Sequence, residues 1–233
     1  MKKTIGIIGG MGPLATCDLF KKIINETYAT SDQEHIRVVI DNNTEIPDRT
    51  MAILHGGMSP VKEMVKSAVL LSGMGASLLI MPCNTAHFFY DEIVKFIDIP
   101  LLHMIKETSY EVINKGIKKV ALLATDGTVK SNVYKKIFDE NNIEMLLPNE
   151  EEQKNVMDII YKGVKAGNMS FDINPFLNVI DRLLNSGAET LILGCTELPV
   201  AFDIFKIDRP HIDPTLVLAR AAIKKVGGKL KNN

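Results

Sequence analysis

The chain has 233 residues, of which 46% are hydrophobic and 24% charged. That length can bury a sizeable core, in one large domain or two small ones. With 27 Lys and Arg against 28 Asp and Glu the net charge is −1, which excludes an overall field drawing the chain to nucleic acid or to an anionic membrane.

Three cysteines, Cys17, Cys83 and Cys195, form no C-x-x-C pair and are too few for a disulfide framework. Met1-Lys2-Lys3 runs directly into a strand-like segment without a small-residue cleavage site, so no signal peptide is expected. Reduced thiols in a cytoplasmic setting are the expectation, and no metal site is expected.

In chain order, apolar runs predict strands at Lys3–Ile8, Arg37–Asn42, Ser77–Met81, Lys119–Ala124 and Thr190–Leu193. Helical spacing predicts helices at Leu14–Tyr28, Pro60–Ser72, Tyr90–Lys95, His103–Lys115, Ser131–Asn141, Glu150–Ala166, Asn174–Ser186 and Thr215–Lys225. Asp213 and Pro214 supply an N-cap and a first-turn proline for the last of these. Short buried strands alternating with helices indicate an α/β protein with mainly parallel sheets flanked by helices. Ser67 to Tyr90 contains no Asp, Glu, Lys or Arg, a length that would suit a membrane span. Gly73, Gly75, Pro82 and Asn84 break it into helix, turn, strand and loop, so it reads as core.

Two segments align without a gap: Gly75-Ala-Ser-Leu-Leu-Ile-Met-Pro-Cys83-Asn-Thr and Gly187-Ala-Glu-Thr-Leu-Ile-Leu-Gly-Cys195-Thr-Glu. Each puts a cysteine just past a buried strand, where the next residues can open a helix. A duplicated lobe explains the match. Ligands of open α/β sheets bind beyond the carboxyl ends of strands, and a thiol at a helix start is biased toward thiolate. Two such thiols facing one small ligand suit inversion at a chiral carbon: one takes the α-proton and the other returns a proton to the opposite face. Backbone N–H groups with Asn84, Thr85 and Thr196 are candidate donors to the developing charge. A single cysteine after a strand is more often a small buried hydrophobe. The matched polar context after both cysteines shifts that balance, whereas Cys17, inside a helical pattern, stays structural.

Gly9-Gly10-Met11-Gly12-Pro13, Met81-Pro82-Cys83-Asn84-Thr85-Ala86-His87 and Leu193-Gly194-Cys195-Thr196-Glu197-Leu198-Pro199 resemble the aspartate/glutamate racemase family, specifically its aspartate racemase branch. The likeness covers essentially the whole chain. It implies a PLP-independent amino-acid racemase, needing no cofactor, that acts on a small dicarboxylic amino acid and assembles as a homodimer. It also implies two pseudo-symmetric α/β lobes, 1–100 plus 208–233 carrying Cys83 and 101–207 carrying Cys195, with those thiols as the catalytic pair. Glutamate racemases usually follow the second cysteine with Thr-His. Here Glu197 stands at the histidine position, either tuning Cys195 or merely capping a helix.

Arg49, after a strand and a proline-bearing loop, can hold a carboxylate with its fork. The resemblance makes Lys165 the second basic contact and adds Met11 and Thr125 to the substrate side. Either cation alone would read as a solvated surface charge. His87, one turn from Cys83, reads equally as a satisfied structural residue. Two other readings stand beside this one. Gly10-Met-Gly12-Pro-Leu-Ala15 fits a dinucleotide fingerprint, but Asp41 lies beyond the usual interval of about 20 residues to the ribose-binding acid. Related cysteine-dependent isomerases, or a non-catalytic binding protein on the same fold, complete the alternatives.

Overall fold

The computed structural model describes residues 3–231, and their backbone divides into two compact units. Residues up to Glu107 together with those from Thr215 onward make the first, and Thr108–Pro214 the second. The boundary falls inside the helix Met104–Asn114 and at the start of the helix Pro214–Lys225.

The first unit has a parallel sheet of β1 (Ile5–Ile8), β2 (Val38–Asp41) and β3 (Leu78–Ile80), in the order β2-β1-β3. An isolated parallel bridge, Leu79 to Leu101, adds a minimal fourth position beside β3. Its helices are α1 (Pro13–Glu26), α2 (Arg49–Leu54), α3 (Val61–Gly73), α4 (Tyr90–Ile93), most of α11 (Pro214–Lys225) and the first turn of α5 (Met104–Asn114). β1 and β3 are buried at every position, which is why they read as unbroken apolar runs. The period-2 alternation of strands then feeds two cores. Ile5, Ile7, Leu78 and Ile80 pack with Leu19 and Ile23 of α1 and with Leu218, Ala222 and Ile223 of α11. Ile8, Leu79 and Met81 pack with Met64, Ala68 and Leu71 of α3.

The second unit has β4 (Lys119–Leu123), β5 (Glu144–Leu146), β6 (Thr190–Leu193) and β7 (His211–Ile212), all parallel, in the order β5-β4-β6-β7. Its helices are α6 (Asp126–Lys130), α7 (Val133–Glu140), α8 (Glu150–Asp158), α9 (Asn174–Asn185) and α10 (Glu197–Ile204). Asn149 starts α8 with a full capping box to Glu152. Ala121, Leu123, Leu191 and Leu193 pack beneath Phe176, Val179, Ile180 and Leu183 of α9. Each of these leucine, valine, isoleucine and phenylalanine side chains contributes about 1.5–3 kcal/mol by leaving water.

The expected α/β class with two parallel sheets flanked by helices is the one observed, and all five predicted strands are present. Short strands β5 and β7, helices α2, α6 and α10, and a 3-10 turn (Asp32–Glu34) are additions. The expected helix over Tyr90–Lys95 is a 3-10 segment (Thr85–Phe89), α4, and a second 3-10 turn (Val94–Phe96). Glu150–Ala166 is α-helical only to Asp158 and then a π-helix, Ile159–Lys165. No described helix is long and apolar enough to cross a membrane.

Candidate active-site residues in each unit

In the first unit the loops after β1, β2 and β3 leave from the same edge, because all three strands run parallel in adjacent positions. The loop after β1 is Gly9 to Gly12. Thr16 of α1 shapes it, accepting from the Gly10 N–H (3.0 Å) and donating to the Gly12 carbonyl (3.0 Å). A Cβ on Gly9 would sit 2.7 Å from that hydroxyl. Gly9 and Gly10, the latter at φ +87°, therefore follow from a tight turn onto α1, with no nucleotide needed to account for them.

Arg49 opens α2 behind the N-cap Asp48, whose side chain accepts from the Met51 N–H (2.7 Å). Its guanidinium donates to the carbonyls of Pro47 (3.0 Å), Ile46 (3.4 Å) and Met11 (3.2 Å). It thus ties the loop after β2 to the loop after β1. Nε of Arg49 is buried without a hydrogen-bond partner. Met11 shares one apolar cluster with Cys83.

Cys83 is 7% exposed and stands past the end of β3, its N–H donating to the Met81 carbonyl (2.9 Å). Asn84 and Thr85, at the start of the following 3-10 helix, are buried. His87 grips the same turn: its Nδ1 lies 2.8 Å from the Cys83 carbonyl, and its Nε2 accepts from the Met104 N–H (3.1 Å). A nitrogen that accepts carries no proton, so the hydrogen is on Nδ1 and donates to Cys83. Burial lowers the His87 pKa to about 4, so the ring is a neutral clamp. It packs beside Tyr90 and His103, the latter held at about 3, first by burial.

In the second unit Cys195 stands past β6 and is 8% exposed. Gly194 makes the close exit possible, since a Cβ there would meet Leu122 at 2.6 Å. Cys195 Sγ donates to Glu197 Oε2 (2.9 Å), and the Thr196 hydroxyl donates to the same oxygen (3.2 Å). The other oxygen, Oε1, faces Lys165 Nζ at 3.5 Å. That ammonium also lies over the Tyr161 ring, 4.6 Å from its centroid. Lys165 reaches Glu197 from the last residue of the π-helix, which packs against α10. π-Helical turns are rare and frequent at functional sites.

Burial, and then the Glu197 carboxylate, push the Cys195 thiol well above its ordinary value, and Lys165 opposes them. Burial disfavours the Lys165 charge, yet Glu197, Cys195 and Tyr161 together hold its pKa above the usual lysine range. The resting cluster in this unit is therefore a thiol, a carboxylate and an ammonium in a row. Thr125, after β4, is buried with its hydroxyl 3.3 Å from that of Thr128. Gln153 braces this loop, donating to the Ala124 carbonyl and to Asp126 Oδ1, each at 2.9 Å.

Of the expected residues, the first unit carries Met11, Arg49, Cys83, Asn84 and Thr85. The second carries Thr125, Lys165, Cys195, Thr196 and Glu197. Four of these last five are joined directly, and Arg49 is joined to Met11. His87 takes the structural one of its two sequence readings, whereas Thr16 and Gln153 were missed as supports. Only His87 had a sequence signal, four residues past Cys83. Cys17, expected to be a packing residue, is instead exposed, because it lies on the outer side of α1.

The profile of the Asp/Glu/hydantoin racemase family matches residues 8–222. Among solved structures the chain is similar to an aspartate racemase of Picrophilus torridus, with 35% identity, 98% of this chain and 96% of that one covered, and a TM-score of 0.87. An aspartate racemase homologue from Pyrococcus horikoshii OT3 shares 28% identity over 97% of this chain and 99% of that one, with a TM-score of 0.79. The broad specificity amino-acid racemase RacX of Bacillus subtilis (strain 168) is 28% identical over 225 residues, 94% of this chain and 96% of RacX.

Proposed function

The chain belongs to the Asp/Glu/hydantoin racemase family, and from that premise we propose that it racemises aspartate without PLP, using Cys83 and Cys195 as the two acid/base groups. The carrying observation is a repeated one. Two parallel sheets share the strand order second-first-third, and in each a buried cysteine follows within three residues of the end of the third strand.

In one direction the Cys83 thiolate takes the α-proton, an S–H bond forms as the Cα–H bond breaks, and the electron pair moves toward the substrate carboxylate. Cys195 then gives its proton to the opposite face and is left as thiolate. The reverse direction exchanges the roles. Because the Cys195 proton rests against Glu197, the free enzyme holds Cys195 in its acid form, which suits delivery. Asn84, Thr85, Thr196 and the N–H groups past each cysteine stabilise the developing charge, and Met11 and Thr125 line the substrate. Arg49 and Lys165 supply cations for the two carboxylates of a dicarboxylic amino acid. Aspartate is favoured by the likeness to the Picrophilus torridus aspartate racemase. Glutamate and a wider range, as the name of RacX states for that protein, are the second reading. A homodimer in a reducing, cytoplasmic setting belongs to the same proposal, as the three free thiols fit such a setting.

The test is a chiral assay of L- and D-aspartate and glutamate with no added cofactor. Aspartate racemisation is expected, with deuterium entering Cα in heavy water. Cys83→Ala and Cys195→Ala should each lower kcat by about 10³-fold or more, as loss of one member of a catalytic unit does, while Cys17→Ser leaves it unchanged. Substantial racemisation by both alanine variants would sink the two-thiol mechanism, and inversion without exchange would contradict proton abstraction.

A further inference from the structure

Lys165 has a second role beside the charge it is proposed to offer a substrate carboxylate. Its ammonium is engaged with Glu197 Oε1 at 3.5 Å and with the Tyr161 ring, and the opposite oxygen of the same carboxylate takes the Cys195 proton at 2.9 Å. The charged groups that act on the Cys195 sulfur are Glu197 and Lys165. Tyr161 acts in turn on Lys165.

We infer that Lys165 is a positioning residue for the Cys195 proton, acting with Glu197 as one ion-paired unit beside the sulfur. The carboxylate is shared: one oxygen anchors the ammonium within range of the thiol, and the other receives the S–H bond. Thiolate forms when the Cys195 S–H bond breaks and its proton passes to Glu197 or to solvent. In either case the lysine is the nearby cation that offsets the new negative charge. Glu197 raises the cost of that charge and Lys165 lowers it, so the balance of the pair sets how easily Cys195 becomes a base. Lys165 affects proton chemistry here even where it touches no substrate atom. The tether also matters to the lysine itself. Without Glu197, among the described residues, only the Tyr161 ring would keep this long, half-exposed side chain near Cys195.

The inference rests on Cys195 being an acid/base group. Its test reads the thiol whether or not the enzyme turns over, so the two can fail separately. In a Cys17→Ser/Cys83→Ser protein, Cys195 is titrated through its thiolate ultraviolet absorbance, against the variant lacking all three thiols. In the otherwise unaltered protein, the rate of Cys195 alkylation by iodoacetamide is followed across pH by peptide mass spectrometry, which frees the result from that background. Lys165→Met should lower the thiolate population at pH 8 by about tenfold, the effect of removing one nearby counter-charge. Lys165→Arg should restore it to within about threefold, and Glu197→Gln should raise it. In the Glu197→Gln background, Lys165→Met should change it by less than about threefold, because the tether is already gone. Unchanged titration in Lys165→Met would overturn the inference. So would an equal shift in both backgrounds, which would mean that the lysine acts on the sulfur alone, independent of Glu197.

Discussion

At Gly10 the backbone stands at φ +87°, and a Cβ would lie 2.2 Å from the Asn43 carbonyl oxygen. Left-handed backbone and a backbone clash act together there, and neither neighbour can swing aside as a flexible side chain would. Gly10→Ala should therefore destabilise the protein by roughly 2–4 kcal/mol, seen as a lower denaturant midpoint. Gly73→Ala is the contrast: that helical glycine has nothing within 4 Å of the added carbon. As the last residue of α3 it should gain no more than about 0.5 kcal/mol, and a loss as large as at Gly10 would refute the steric account. At this scale much of the chemistry is legible in the sequence. Both thiols follow apolar runs, and Glu197 is two residues from Cys195. The tie from Lys165 to Glu197 is not legible, because it depends on a π-helix packing against α10, and apolar period alone does not separate π from α.

Elements were legible where burial is two-sided. β1, β3 and β6 are buried throughout, so their runs stand out. β5 lies at a sheet edge with its first residue exposed, and β7 is two residues long, starting next to the bond from the Leu191 N–H to the Pro210 carbonyl. Neither is long enough to show alternation. The segment after β3 is another case: its 3-10 turns are held by His87, whose second partner, the Met104 N–H, is distant in sequence. That clamp makes a pH prediction. The folded His87 pKa, about 4, lies below its ordinary 6.5, so between those values the unfolded chain binds more protons. Stability from neutral His87 is full above pH 6.5 and is lost as pH falls toward 4, by roughly 3 kcal/mol over the window. His103, depressed to about 3, adds in the same direction. Thermal unfolding should show a steep fall in Tm from pH 6.5 to 4. In His87→Gln the fall should be shallower, with a lower Tm at pH 7 because hydrogen bonds are lost. An equal slope in both proteins would remove His87 from the account.

Over the whole molecule, one strand order occurs twice, and the repetition extends past the strands. Leu79 N–H bonds to the Pro100 carbonyl beside β3, as Leu191 N–H bonds to the Pro210 carbonyl beside β6. Yet the two thiols have different surroundings. The Cys83 turn is gripped through its carbonyl by a neutral histidine, whereas Cys195 faces a carboxylate and an ammonium. If both serve one racemisation, this asymmetry meets a thermodynamic constraint. Enantiomers are equal in free energy in an achiral solvent, so kcat/KM must be the same in both directions at every pH and in every variant. Unequal thiols can therefore appear only as compensating differences in kcat and KM. Glu197→Gln removes the group that holds Cys195 protonated, so it should change kcat for the two enantiomers by different factors, with KM moving in step. We expect the kcat ratio between directions to shift by at least about threefold, the effect of roughly 0.7 kcal/mol on one side, while the two kcat/KM values stay equal. Progress curves from pure L- and pure D-aspartate measure both quantities, and an unchanged kcat ratio would mean that Glu197 does not distinguish the acid role of Cys195 from its base role.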